Sequence, residues 1–169
     1  MTAVSRVAIA GCGVAALATA IQLAKAGVHV DVFEAKPELS ALGSGITLQG
    51  NALWVFDALG AWEEIRDAGF AFTGLNLRAP GPGAPIVAEL PDVKSGGPNY
   101  PSTMGMSRPD LARILFDHAV TAGANVTFGA SVTGLEQSDD HVTVLVNGAP
   151  VGDYDLLNHG LLARVSRAS

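Results

Sequence analysis

Gly11, Gly13 and Ala16 are spaced as Gly-x-Gly-x-x-Ala, and Glu34 follows 23 positions after Gly11. Residues of these types at this spacing can hold a dinucleotide. Gly11 permits a tight turn, Gly13 lets backbone amides approach a pyrophosphate at the positive end of a helix, and Ala16 is small enough for close strand–helix packing. Glu34 supplies a carboxylate that can accept hydrogen bonds from ribose hydroxyls. A glycine turn kept only for packing has no use for Glu34. With no Arg beside Glu34, a 2′-phosphate is disfavoured, and so is NADP at this position. These residues alone leave FAD and NAD both open.

Such a site needs a strand, a turn, a helix and a second strand, and the surrounding residues provide them. Val4–Ala10 has the continuous apolar character of a strand buried on both faces. Val14–Ala26 places Leu17, Ile21 and Ala24 on one helical face, and Gly27 ends it as a C-terminal cap would. Val28–Phe33 is a second buried strand, so the two strands should run parallel through a right-handed crossover. The loop 35–45 leads to helices over 51–59 and 61–68, in which Trp54 and Trp62 are read as packing residues. Strands at 73–78 and 86–90 flank a Pro- and Gly-rich turn and begin a second, antiparallel sheet. Residues 91–101, full of Pro and Gly, read as an exposed loop of the kind that is often mobile. Ser107 caps a helix running to Thr121, with Pro109 in its first turn and His118 on a packed or rim face. Residues 125–128 form a third member of the parallel sheet. Strands at 132–137 and 141–146 follow, and Asn147-Gly148 turns the chain into a last strand ending at Leu156-Leu157.

Composition narrows the function classes. The 169 residues suit one domain, at a prior of roughly 100 to 200 residues each. Hydrophobic residues make up 49% and charged ones 15%, which excludes a disordered chain and demands burial in a core, a cofactor site or a partner. A net charge of −6 with no run of Lys or Arg argues against nucleic acid. Cys12 is the only cysteine and His29, His118, His141 and His159 lack ligand spacing, so no metal site is expected. Arg6 with the apolar stretch after it could pass for a signal peptide, and Ile9-Ala10-Gly11-Cys12 for a lipoprotein cleavage box. Only four apolar residues separate Arg6 from Gly11, fewer than the roughly 7 to 15 of a signal core. A cytoplasmic, membrane-free protein is the expectation.

The choice between FAD and NAD comes from motifs taken together. After the glycine turn and Glu34 stand Leu42-Gly43-Ser44-Gly45-Ile46-Thr47-Leu48-Gln49-Gly50-Asn51-Ala52-Leu53 and then Ser107-Arg108-Pro109-Asp110-Leu111. In this order they resemble the N-terminal half of single-component flavoprotein aromatic hydroxylases, the para-hydroxybenzoate hydroxylase-like or salicylate hydroxylase-like monooxygenases. The resemblance covers nearly the whole chain. It implies FAD as cofactor, NAD(P)H as transient electron donor, and O₂-dependent hydroxylation of a small aromatic substrate. It further implies Gly11, Gly13 and Ala15 at the FAD pyrophosphate, Glu34 on the adenosine ribose, and Ala35 and Lys36 near the adenine side. Gly45 and Ile46 would pass along the ribityl chain and flavin, where a glycine permits close backbone approach. Arg108 would reach the phosphate and ribityl region with its guanidinium fork. Val132 would meet adenine through its backbone.

The chain departs from that family at its end. Similar hydroxylases continue with Val-Gly-Ala-Asp-Gly, whereas Asn158-His159-Gly160-Leu161-Leu162 stands here, with His159 where the aspartate should be. The later Gly-Asp motif and most of the substrate domain have no counterpart, so no catalytic residue can be named. A sheet without its neighbours leaves a bare edge and an uncovered apolar face. The expectation is a truncated or frameshifted form of a longer hydroxylase, an incompletely given sequence, or a chain completed by a second one. The fold class expected is α/β, a Rossmann-like FAD-binding parallel sheet with part of a second antiparallel sheet. Residues 1–169 form the FAD-binding domain, and 73–106 contribute strands of a partial substrate domain. Two other functions remain: a noncatalytic nucleotide-binding or interaction module, and an NAD-dependent dehydrogenase.

Overall fold

The first apolar stretch becomes strand β1 (Arg6–Ala10), in which Val7, Ala8 and Ile9 are fully buried. The structure, a computed structural model, describes residues 4–40, 43–91 and 93–159. After the glycine turn come α1 (Val14–Lys25) and β2 (His29–Glu34), with Leu17, Ala20 and Ile21 of α1 buried and the helix packed on β1 and β2. Gly27 takes a left-handed φ of 82°, which suits a glycine closing a helix. Then follow β3 (Ile46–Gln49), α2 (Gly50–Ala58), α3 (Trp62–Ala68), β4 (Phe70–Phe72), β5 (Leu75–Arg78), β6 (Ile86–Leu90) and β7 (Thr103–Met106). The chain continues through α4 (Arg108–Thr121), β8 (Asn125–Phe128), β9 (Val132–Gln137), β10 (Val142–Val146), β11 (Ala149–Tyr154) and β12 (Leu156–His159).

The chain divides into two compact units, Met1–Leu42 with Ala112–Ser169, and Gly43–Leu111. In the first, a four-stranded sheet runs β12-β1-β2-β8 with every neighbour parallel. An antiparallel meander, β11-β10-β9, follows. Phe33 from the sheet and Val144, Val146 and Tyr154 from the meander share one buried cluster with Ala8 and Ala130. Asn147 and Gly148 both have positive φ, 52° and 82°, as a two-residue hairpin turn requires. The last strand expected from the sequence is two strands: Asp155 interrupts it, β11 stays in the meander, and β12 joins the parallel sheet beside β1. In the second unit, β3-β7-β4 form one antiparallel sheet and β5-β6 a two-stranded ribbon. Leu53, Phe56, Leu59 and Ile65 of the α2–α3 region are buried.

One expectation of the sequence is corrected here. Trp54 is 59% exposed on α2, so it does not pack, whereas Trp62 meets Tyr100 edge-on at 5.5 Å. Residues 93–101 are irregular and mostly exposed, as expected, and they also make contacts: Ser95 and Gly96 touch the start of α2, and the Tyr100 hydroxyl donates to Asp57.

Candidate nucleotide-binding site

At the carboxyl end of β1 the chain turns sharply, with Gly11 at a φ of 93° and its N–H donating to the Phe33 carbonyl at 2.8 Å. That conformation is one that side chains rarely adopt, so the first glycine is a requirement of the turn. Gly13 is different. Its φ of −80° suits any residue, and it stands as the N-cap of α1 without a side-chain cap. A Cβ placed on it would meet nothing within 4 Å. A folding requirement therefore explains Gly11, while Gly13 leaves space open in front of the helix. The first turn of α1 carries no acidic residue. Its leading N–H groups point outward along the helix axis, the arrangement that draws anions.

Glu34, at the end of β2, closes the other side. One carboxylate oxygen accepts the Cys12 N–H at 2.7 Å and the other accepts the Lys36 N–H at 2.9 Å. The carboxylate is thereby fixed against the glycine turn, and each oxygen retains a lone pair for a further donor. The Lys36 ammonium reaches back to Ser40 Oγ at 3.3 Å. Between these walls lies a cleft of about 430 Å³ bounded by the Gly11–Ala16 turn, Glu34, Lys36 and Ser40, within the range of small-ligand sites. Cys12 is buried in the turn. Burial, with Glu34 alongside, pushes its thiol up to about 11, so it is neutral at physiological pH.

Segments expected on the adenine side meet in the same unit. Gly129 N–H donates to the Lys36 carbonyl and Ala130 N–H to the Glu34 carbonyl, each at 2.8 Å. This pairing carries Val132, two residues on, next to the Glu34–Lys36 segment, with the Val132 side chain packed against the Phe33 cluster. Ala35 and Lys36 are exposed. In the second unit, Ile46 of β3 pairs with Met106 of β7, and Arg108 opens α4 two residues later. The Arg108 guanidinium lies over Gly43, where a Cβ would stand 3.4 Å from Nη1. Gly45, Ile46 and Arg108 are thus brought together by a strand pair that the sequence did not disclose. Ser107 caps α4 through its carbonyl, which accepts the Leu111 N–H at 3.1 Å; Asp110 N–H approaches its hydroxyl only at 3.5 Å.

Sequence reasoning missed the Cys12–Glu34 bond, Ser40 and the Gly129–Ala130 segment. A carboxylate two residues before an exposed N–H signals its local bond to Lys36; nothing in the sequence signals the others. His159 ends β12 beside Ala10 of β1, and the rest of the altered motif, from Gly160 on, lies outside the described residues. Among the described residues no group of three or more His, Cys, Asp or Glu could hold a metal, and no helix is long and apolar enough to cross a membrane. A smaller cavity of about 280 Å³ borders the 138–141 turn and Asp155, but the Asp155 carboxylate is engaged by Ser5 and Arg6. The open space before Gly13, the helix start and the fixed carboxylate fit the ADP portion of FAD.

The chain is 30% identical over 156 residues to 3-amino-4-hydroxybenzoate 2-monooxygenase of Streptomyces cremeus, covering 90% of this chain and 38% of that protein. It is 32% identical over 154 residues to a flavin-dependent monooxygenase of Mycobacteroides abscessus, covering 85% and 32% respectively. The chain therefore spans well under half the length of these relatives. Its fold matches crystalline 2-methyl-3-hydroxypyridine-5-carboxylic acid oxygenase with a TM-score of 0.76 at 24% identity, over 92% of this chain and 39% of that one. The FAD binding domain family matches residues 4–154, nearly the whole described chain, and the chain belongs to that family.

Proposed function

We propose that the chain is the nucleotide-holding N-terminal part of a FAD-dependent monooxygenase that hydroxylates a small aromatic substrate using NAD(P)H and O₂. The observation that carries this reading is Glu34, fixed on the Cys12 and Lys36 N–H groups across a cleft from the bare Gly13 position. The α1 N–H groups with Gly11, Gly13 and Ala15 hold the pyrophosphate oxygens, and Glu34 accepts the adenosine ribose hydroxyls. Ala35, Lys36 and the Val132 backbone border the adenine. Gly45 and Ile46 pass along the ribityl chain, with Arg108 directing its guanidinium at phosphate oxygens. Bound FAD supplies the redox chemistry; these residues bind and orient it. The aromatic-acid names of the relatives support the substrate class, and the single cysteine supports a cytoplasmic setting.

The test is the visible spectrum of the purified chain, followed by titration with FAD and NAD. Flavin absorbance that survives gel filtration is expected. NAD(P)H oxidation and O₂ uptake, stimulated by hydroxybenzoates, should then appear in a chain of the relatives' length. Tight NAD binding without flavin would replace the reading with a dehydrogenase. Retained FAD in a full-length form that never oxidises NAD(P)H would replace it with a noncatalytic module.

A further inference from the structure

Helix α2 begins at Gly50, directly after β3, and its N-cap Gln49 does not cap it through its side chain. A helix start leaves backbone donors without partners inside the helix. Here a distant segment takes two of them: Gly50 N–H donates to the Ser102 carbonyl at 3.0 Å, and Asn51 N–H donates to Ser95 Oγ at 3.2 Å. Between those two acceptors Gly96 lies flat on Gly50. A Cβ on Gly50 would come within 2.7 Å of the Gly96 nitrogen, and a Cβ on Gly96 would collide with the Gly50 carbonyl. Both obstacles are backbone, so neither can swing aside. Further along, the Tyr100 hydroxyl donates to the Asp57 carboxylate on α2, and its ring meets Trp62 at the head of α3.

We infer that residues 93–101 form a strap latched onto the first turn of α2, and that Gly50, Ser95 and Gly96 are positioning residues for the Gly45–Gln49 segment. The connectivity gives the strap its reach. On one side the latch fixes Gly50, which follows β3 immediately, and so fixes the end of the strand that Ile46 begins. On the other side the strap leads through Ser102 into β7, which pairs with β3 from Ile46–Met106 to Gln49–Thr103 and delivers Arg108. Strap, β7 and β3 close a ring around the α2 start, so a displaced latch shifts Gly45, Ile46 and Arg108 together. The inference rests on the reading that these residues face the flavin end of FAD. The ADP end depends on Gly11, Gly13 and Glu34 in the other unit.

That division makes the test specific. FAD and ADP are titrated into the full chain and into Gly96→Ala, and amide hydrogen exchange is followed over residues 46–51 and 103–106. Gly96→Ala is expected to weaken FAD by at least about tenfold, to leave ADP within about twofold, and to speed exchange in β3 and the α2 start. Ser95→Ala, which removes one acceptor without adding bulk, shows the same pattern at about threefold, and Ser95→Thr restores it. If Gly96→Ala fails to fold, by circular dichroism, Ser95→Ala and Tyr100→Phe carry the comparison. Equal loss of FAD and ADP, or unchanged FAD affinity with unchanged exchange, overturns the positioning role. Failure of the underlying reading has its own signature, a wild-type chain that takes ADP but no FAD.

Discussion

The two ends of the parallel sheet are built on opposite rules. At the amino end, side chains close on one another. The Asp31 carboxylate, only 15% exposed, accepts from Arg6 at 3.1 Å, Tyr154 at 3.0 Å and Asn125 at 3.1 Å, with His29 Nε2 at 3.3 Å. The Arg6 guanidinium also covers the Tyr154 ring, 4.4 Å from its centroid. These contacts tie β1, β2, β8 and β11 together. At the carboxyl end, side chains are withheld: Gly11 and Gly13 face open space, and Glu34 spends its carboxylate on backbone N–H groups. A satisfied network leaves nothing for a ligand, whereas a bare turn at a helix start does. In open α/β sheets ligands bind outside the carboxyl ends of the strands, and this chain places its stabilising polar groups at the other end.

Substitutions at the two ends should therefore separate binding from stability. Gly13→Val gives the largest effect. Its Cβ meets no protein atom, so stability should fall by less than about 1 kcal/mol, while FAD affinity should drop at least about a hundredfold, or ~3 kcal/mol. Isothermal titration beside a thermal melt checks both; a Gly13→Val chain that still binds FAD tightly would remove the pyrophosphate from this turn. Gly11→Ala sharpens the contrast, since its left-handed φ should cost stability of about 1 to 2 kcal/mol as well.

Glu34→Ala comes next and acts on both quantities. FAD affinity should fall about tenfold, ~1.4 kcal/mol, through the lost ribose contact. Stability should fall by about 1 to 3 kcal/mol because the Cys12 N–H is left in a half-buried turn without its acceptor. Urea titration and FAD titration report the two losses separately. At the amino end, Asp31→Asn should reduce stability by a similar amount, about 1 to 3 kcal/mol, while FAD affinity stays within about twofold. A tenfold loss of FAD affinity in Asp31→Asn would erase the division between the ends.

How much of this was legible depended on sequence distance. The glycine turn, α1, β2 and Glu34 are contiguous, their periodicities are strong, and each local preference agrees with the fold. Residues 86–90, 125–128 and 132–137 are strands where the sequence placed them. β3, β4 and β7 escaped because their partners are distant in the chain, β3 joining β7 across more than fifty residues. The same holds within the site. Glu34 was visible as a carboxylate after a strand, but its bond to the Cys12 N–H depends on the exact register of β1 against β2 and the shape of the turn. Trp54 misled because size suggested burial, whereas helical position decides it. In the segment 93–101, Pro and Gly content disclosed the loop but not its contacts, where glycine is what lets Gly96 lie against Gly50.

The smallest effect expected is a dependence of stability on acid at the amino end. Burial alone would raise the Asp31 carboxyl, but hydrogen bonds from Asn125, Tyr154 and Arg6 prevail and hold it below its ordinary 3.8. Backbone N–H bonds from Ser5 and Arg6 lower Asp155 in the same way. A carboxyl whose folded-state value is depressed binds its proton more readily when unfolded, so it stabilises the fold above the unfolded value and loses that contribution as pH falls through the folded one. Both contributions are thus complete at neutral pH and decline below about pH 4. Melting temperatures between neutrality and acid should fall more steeply for the wild type than for Asp31→Asn combined with Asp155→Asn. Parallel curves for wild type and the double variant would place the titrating groups elsewhere.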